Sequence, residues 1–360
     1  MKPASNAADR PVVITGGAGF VGCNLADRLL RDGRRVRILD NLSRAGVEQN
    51  LEWLSAQHRD RVEITIADVR QPRHVDRVVD GASMVFHFAA QVAVTTSIER
   101  PADDFEVNAR GTLNVLEAAR SQPEPPPVLF TSTNKVYGGL EEVALERAGD
   151  RYAPCDRELR AHGIGEAHPL DFHSPYGCSK GAADQYVIDY ARTYGLPAAV
   201  FRMSCIYGPR QFGTEDQGWV AHFLLRAAER APITIYGDGM QVRDVLYVDD
   251  LVEALLGAAD HIDRVSGQAF NIGGGPASTT SLLELLALIG EIGGASPEIA
   301  FGPARTGDQR YYVSDARRFA RLTGWAPQVG LREGVERLHR WIMSARGGAR
   351  VAPFAAASAP

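Results

Sequence analysis

Residues Pro11 to Gly22 read PVVITGGAGFVG, a short β-branched apolar run that passes straight into glycines at positions 16, 19 and 22. Such a run predicts a buried strand, and the glycines that end it predict a tight turn opening a helix over Asn24 to Asp32. Gly16 permits the sharp turn, Gly19 lets backbone approach a pyrophosphate, and Gly22 lets the helix pack on its strand. The free amides at the helix start then face phosphate oxygens. An ordinary strand-to-helix connection could look the same, but here a second apolar strand, Arg35 to Leu39, ends in Asp40. That is the place where a carboxylate meets the adenine-ribose hydroxyls. Its charge would repel a 2′-phosphate, which favours NAD over NADP; Arg44 close behind partly offsets the preference.

Further β-branched runs at 62–66, 84–88, 128–132 and 198–203 alternate with helical periods, including Phe105 to Ser121 and Ser179 to Tyr194. The alternation predicts an α/β fold, a doubly wound parallel sheet of Rossmann type over 11–204. After Cys205 the punctuation turns to Gly-Pro, Gly-Asp-Gly and Gly-Gly-Gly-Pro between shorter elements, so 205–346 reads mainly as a smaller α/β substrate domain. Residues 1–10 and 347–360 have the composition of flexible tails. The long stretch 138–172 exceeds an ordinary connection and reads as a solvated lid, a partner contact or a looped excursion.

With 360 residues, 45% hydrophobic and 23% charged, the chain can bury a large core. A net charge of −5 argues against a nucleic-acid partner. The absence of a long apolar run argues against a membrane span, and a cytoplasmic location is expected. Four cysteines, at 23, 155, 178 and 205, show no CxxC spacing, so free thiols are expected. Cys155, Asp156, His162 and His168 match no common metal-ligand spacing, and no metal is expected.

Chemistry concentrates in LDFHSPYGCSKGAADQY, residues 170–186, where Tyr176 precedes Lys180 by one helical turn. A phenol of ordinary pKa about 10 is a poor base at neutral pH, and a neighbouring ammonium favours its phenolate. That is a means of making a tyrosine the proton acceptor of a hydride-transfer site. The strand at 128–131 runs into Ser132-Thr133-Asn134-Lys135-Val136-Tyr137-Gly138, which sets a hydroxyl at the carboxyl end of a parallel strand.

These motifs together resemble the extended short-chain dehydrogenase/reductase superfamily, in its nucleotide-sugar epimerase branch, from Val12 to about Trp341. TGGAGFVG, Asp40-Asn-Leu, Asp68-Val69, His87-Phe-Ala-Ala90, Asn108 with Gly111-Thr112, Thr133, and Tyr176 with Lys180 carry the resemblance. It implies that Phe20, Val21, Asn41, Arg44, Val69, Asn108, Thr131 and Met203 border NAD, that Asp68 reads the adenine, and that Phe88, Ala89 and Ala90 line the cofactor. It also implies that Lys180 binds the nicotinamide ribose, that Thr133 hydrogen-bonds the reacting sugar hydroxyl, and that Tyr176 takes its proton.

Within the branch, four stretches resemble the CDP-sugar 2-epimerases of the paratose and tyvelose type: Gln91 to Ser97, STNKVYG with its long loop, the Tyr176 segment, and Arg210 to Val220. Arg243 and Arg305 then align with phosphate-binding arginines, which engage phosphate oxygens bidentately, although either could be a surface ion-pair partner. Gln91, Thr95, Asn134, Ser204 and Gln211 are expected toward the nucleotide-sugar, with Trp219 and Tyr236 flanking its base; Trp219 reads almost as well as a core residue. A 4,6-dehydratase needs an acid and a base after the threonine, and Asn134-Lys135 supplies neither carboxylate. Redox epimerisation at a carbinol remains. Residue chemistry does not separate carbon 2 from carbon 4, so a 4-epimerase or net dehydrogenase stays open, as does, remotely, a non-catalytic NAD-binding scaffold. A homodimer or homotetramer is expected, with the helices at 105–121 and 179–194 available for pairing.

Overall fold

The computed structural model describes residues 10–294, 297–305 and 307–347. Seven parallel strands form the main sheet in the spatial order Gln268–Ile272, Ala198–Met203, Val128–Thr133, Met84–His87, Val12–Thr15, Val36–Asp40, Val62–Ile66. Side chains alternate between its faces: Val12 and Ile14 enter one apolar core, Val13 the other. Because helices cover both faces, the central strands Val12–Thr15, Val128–Thr133 and Ala198–Met203 are buried almost throughout. All six strands read from the sequence are present.

The seventh strand was not read from the sequence. Gln268–Ile272 comes from the stretch assigned mainly to the second lobe, yet it pairs in parallel with Ala198–Met203. Helix Val248–Asp260 likewise adds Leu251, Val252 and Leu255 to the main sheet's core. The two lobes therefore exchange chain. The second lobe is built from Val242–Tyr247, flanked by Thr279–Ser281, Tyr311–Tyr312 and Cys205–Tyr207, with the parallel pair Ile233–Tyr236 and Ile299–Gly302 beside it.

The excursion 138–172 is structured, and it is docked on the second lobe where a solvated lid was one expectation. It holds the hairpin Leu145–Ala148 and Arg151–Pro154 and the helix Arg157–His162, capped by Asp156. Tyr152 N–H donates to Met240 O at 3.0 Å, Ile164 N–H to Val313 O at 2.7 Å, and Arg151 Nε to Glu284 Oε1 at 2.6 Å. Backbone pairing of this kind removes the freedom a lid would need.

Two helices differ from their predicted bounds. Phe105 to Ser121 is Pro101–Phe105, a π-helical stretch Glu106–Arg110, and Gly111–Arg120. The Tyr176 helix starts earlier, at Ser174, with Pro175 in its first turn, and runs to Tyr194. The expected tails lie outside the described residues except for Arg10, whose guanidinium donates to Ala82 O at 2.6 Å, and Gly347. No described helix is long and apolar enough to cross a membrane. The four cysteines are free thiols, and no three His, Cys, Asp or Glu of the described residues gather to hold a metal.

Candidate active site

The glycine turn is closed too tightly for any side chain. A Cβ on Gly22 would lie 2.4 Å from Gly16 O, and one on Gly16, where φ is +71°, would lie 2.6 Å from Ala89 N. Helix Phe20–Arg31 begins at Gly19 with no side-chain cap and no acidic residue in its first turn, so Phe20 and Val21 open it with amides that no side chain occupies. Asp40 ends the neighbouring strand; its Oδ2 accepts from Ala18 N–H and its Oδ1 from Leu42 N–H, both at 2.9 Å. Burial raises its pKa against these amides. The guanidinium of Arg44, a half-buried residue, has no hydrogen-bond or ion-pair partner among the described residues.

Asn41 Nδ2 donates to Asp68 Oδ2 at 2.8 Å. Burial would raise the Asp68 carboxyl, but hydrogen bonds from Arg70 and Asn41 outweigh it and hold it at about 2. Val69 packs on Gly111, where a Cβ would meet its Cγ2 at 2.8 Å. Phe88 and Ala89 follow the strand end, tied by N–H donation to Thr15 O at 3.0 Å and Thr15 Oγ1 at 3.3 Å, and lead through Ala90 into Gln91. This cradle fits a dinucleotide: a pyrophosphate beside Gly16, Gly19 and Gly22, with Asp40, Arg44 and Asp68 toward the adenosine.

Strand register brings the catalytic set together. Thr133 pairs with Met203 at the carboxyl ends of two central strands, and the Tyr176 phenol on the adjoining helix lies beside Thr133, whose hydroxyl favours the phenolate. All three expected residues, Thr133, Tyr176 and Lys180, are buried. The expected electrostatics are absent, however. Lys180 Nζ donates to Thr131 O at 2.6 Å and lies 4.1 Å from the centre of the Phe130 ring. Burial, with Asp104 acting in the same sense, pushes Tyr176 up to about 12 against the Thr133 hydroxyl. Burial also brings Lys180 down to about 7, with Asp184 and Asp104 opposing. Desolvation of each group outweighs the attraction that the one-turn spacing promised.

Asn108 sits in the π-helical stretch, and its amide is committed internally. Nδ2 donates to Asp104 Oδ1, Ser179 Oγ and Gln91 O, all at 3.1 Å, while Oδ1 accepts from Gln91 N–H at 2.9 Å. Gln91 is committed too: Nε2 donates to Asp104 Oδ1 at 2.9 Å and Oε1 accepts from Ala93 N–H. Its expected sugar contact therefore has no free amide group. Thr95 differs, with a buried hydroxyl that has no partner among the described residues. Asp104 and Ser179, which organise this layer, were missed. The only sequence trace was the four-residue spacing of Asp104 and Asn108.

On the second lobe's side, Asn134 Nδ2 reaches Gln309 Oε1 at 3.4 Å and Oδ1 accepts from Thr133 Oγ1 at 3.3 Å. Ser204 Oγ is held by the buried Asp244 through both its carbonyl and its carboxylate. Gln211 donates Nε2 to Ile206 O at 3.1 Å and leaves its buried Oε1 unpaired among the described residues. Trp219 takes its core reading: it packs with the second lobe's core, and its Nε1 donates to Cys205 Sγ at 3.3 Å. Arg305 lies 4.0 Å from the centre of the Tyr236 ring and pairs with Glu215 and Asp216, and Tyr236 donates its hydroxyl to Glu215. Arg243 is buried, with Nη2 donating to Asp308 Oδ1 at 2.7 Å and Gln309 O at 2.5 Å. Both expected phosphate arginines thus face carboxylates the sequence reading had not singled out.

Residues 12–273 match the NAD dependent epimerase/dehydratase family. The chain is 43% identical over 340 residues to the CDP-paratose 2-epimerase of Salmonella typhi, covering 92% of this chain and 99% of that protein. It is 35% identical to the UDP-glucose 4-epimerase of Mycolicibacterium smegmatis, covering 90% and 95%. Among solved structures, the UDP-glucose 4-epimerase of Thermotoga maritima with UDP-glucose superposes with a TM-score of 0.80 at 31% identity, covering 93% of this chain and 99% of that one. The Thermus thermophilus UDP-glucose 4-epimerase in complex with NAD gives 0.78 at 32%, with the same coverage.

Proposed function

The chain belongs to the NAD dependent epimerase/dehydratase family, and from that premise we propose that it is an NAD-dependent enzyme inverting carbon 2 of a CDP-linked deoxyhexose of the paratose and tyvelose type. The observation that carries the chemistry is the placing of Thr133 and the Tyr176 phenol side by side at the sheet's carboxyl edge, with Lys180 one turn further along the same helix. The choice of carbon and base is supported by identity to the Salmonella enzyme over nearly its whole length.

In this reading Thr133 holds the reacting hydroxyl and Tyr176 takes its proton, a general-base step at a positioned phenol. NAD, when bound, accepts a hydride from that carbon and returns it. Thr133 and Tyr176 then hold the keto oxygen after the sugar has presented its other face, and Tyr176 gives the proton back. Asn134 and Lys135 stand where a dehydratase needs an acid and a base carboxylate, so that pair is not supplied here. Configuration inverts with no net oxidation.

Incubation with CDP- and UDP-sugars in deuterated water, followed by NMR, is expected to show inversion at carbon 2 with no solvent deuterium on that carbon. Deuterium there would overturn direct hydride return, and inversion only at carbon 4 would overturn the carbon assignment.

A homodimer is part of the same proposal. Phe105, Tyr186 and Tyr194 stand about half exposed on the helices at 101–120 and 174–194. Large apolar groups so placed favour burial against a second copy. Phe105→Glu combined with Tyr186→Glu is expected to convert dimer to monomer in sedimentation velocity; a native protein that already sediments as a monomer would refute the pairing.

A further inference from the structure

The Thr133 turn carries a cation that the proposed chemistry does not use. Lys135 donates its backbone N–H to Thr133 Oγ1 at 3.2 Å, and its ammonium reaches Gly307 O at 3.2 Å and Asp308 Oδ1 at 3.7 Å. The same Asp308 oxygen accepts from Arg243 at 2.7 Å, and Asp308 Oδ2 lies 3.5 Å from Gln241 Nε2. Two cations therefore share one carboxylate. The Lys135 and Arg243 side chains are 20% and 8% exposed, against 36% for Asp308, so the positive groups are the more deeply placed. The remaining titratable neighbour, Cys205, is kept neutral because burial pushes its thiol up.

A buried and a partly buried cation that share a single counter-ion carry an uncompensated charge, which is costly unless an anion arrives. Position says which anion. Gln309, fully buried, donates Nε2 to Gly138 O at 2.7 Å and pairs with Asn134, so the 307–309 segment is fastened against the turn that bears Thr133. The cation pair therefore lies next to the proposed sugar site, where a nucleotide-sugar carries its dianionic diphosphate.

We propose that Lys135 is, with Arg243, a cation of the substrate's diphosphate site, and that Asp308 occupies this site as an internal substitute for the anion until substrate displaces it. The inference rests on the nucleotide-sugar reading given above. It gives Lys135 a role as a point charge beside the forked guanidinium. It also accounts for Lys135 being brought down to about 8, by burial first and Arg243 second, in the presence of Asp308. An incoming diphosphate favours the protonated form, so affinity falls as pH rises through that value.

The test is calorimetric titration of the intact protein with CDP and with cytidine. Lys135→Met is expected to weaken CDP binding at least tenfold and to leave cytidine unchanged, Lys135→Arg to stay within a few-fold of wild type, and Asp308→Asn to tighten CDP severalfold. Equal CDP affinity in the Lys135→Met and native proteins, or weaker CDP binding by Asp308→Asn, overturns the inference alone. If Lys135→Met does not fold, the Asp308→Asn arm decides by the same sign. A native protein that binds UDP or dTDP but not CDP refutes the choice of base and moves the same comparison to that nucleotide. A native protein that binds no nucleoside diphosphate overturns both proposals.

Discussion

Tyr176→Phe is expected to lower kcat by about 10²- to 10⁴-fold, the range of a positioned acid–base group, while the purified variant keeps its NAD. The phenol oxygen is the group beside Thr133 proposed to take and return a proton at the reacting hydroxyl. The glycine turn and Asp40, proposed to hold the other end of the cofactor, do not depend on it. Tyr176 and Lys180 stand one turn apart on one helix. With the phenol at about 12 and the amine at about 7, about half of the lysines and almost none of the phenols have lost their proton at neutral pH. Phenolate with ammonium and phenol with amine contain the same number of protons, so the reacting form is reached by moving a proton within the pair. Activity of the native enzyme should therefore rise with pH through about 7, the value at which Lys180 loses its proton, and be flat well above it. Tyr176→Phe activity within tenfold of native, or an activity that falls as pH rises through that value, would refute the assigned base.

The parts of the site legible in the sequence are those fixed by short-range geometry. PVVITGGAGFVG specifies strand, turn and helix because both faces of its strand are buried and Gly16, Gly17 and Gly22 have no room for a Cβ. Tyr176 and Lys180 were legible as neighbours because one helical turn dictates it. Where the lysine points was not, since the Thr131 carbonyl and the Phe130 ring that hold it belong to a strand distant in sequence. The same limit hid Lys135 and Asp308: the segment that meets Lys135 is 172 residues away at Gly307. Strand Gln268–Ile272 escaped for a related reason, because its pairing partner, Ala198–Met203, is separated from it by most of the second lobe. The π-helical stretch Glu106–Arg110 keeps ordinary helical spacing of apolar residues, so nothing in the pattern marked it.

Asp184→Ala is expected to destabilise the fold by about 3–5 kcal/mol, the cost of leaving a buried partner charge alone. Asp184 accepts from Arg202 Nε and Nη2, both at 2.9 Å, and the two side chains are 0% and 5% exposed. Burial works to lower the Arg202 guanidinium, but hydrogen bonds and attraction from Asp184, helped by Tyr137, raise it instead. Arg202 lies on the strand that ends at Met203, and its Nη1 donates to the Tyr137 hydroxyl at 3.1 Å, which donates on to Asn271 at 2.7 Å. The pair thus joins the Tyr176 helix, two sheet strands and the turn after Thr133. Removing the carboxylate also strips Lys180 of a group that opposes its desolvation, so the acid limb of activity should move to lower pH in whatever protein remains folded. Denaturant midpoints decide the matter. Asp184→Leu combined with Arg202→Met should recover much of the loss, because an apolar pair of similar volume removes the stranded charge. If the double variant is less stable than Asp184→Ala, the pair contributes through its hydrogen-bonded network and not through the charge left behind; if Asp184→Ala costs less than about 1 kcal/mol, water or a shifted carboxylate is already serving Arg202.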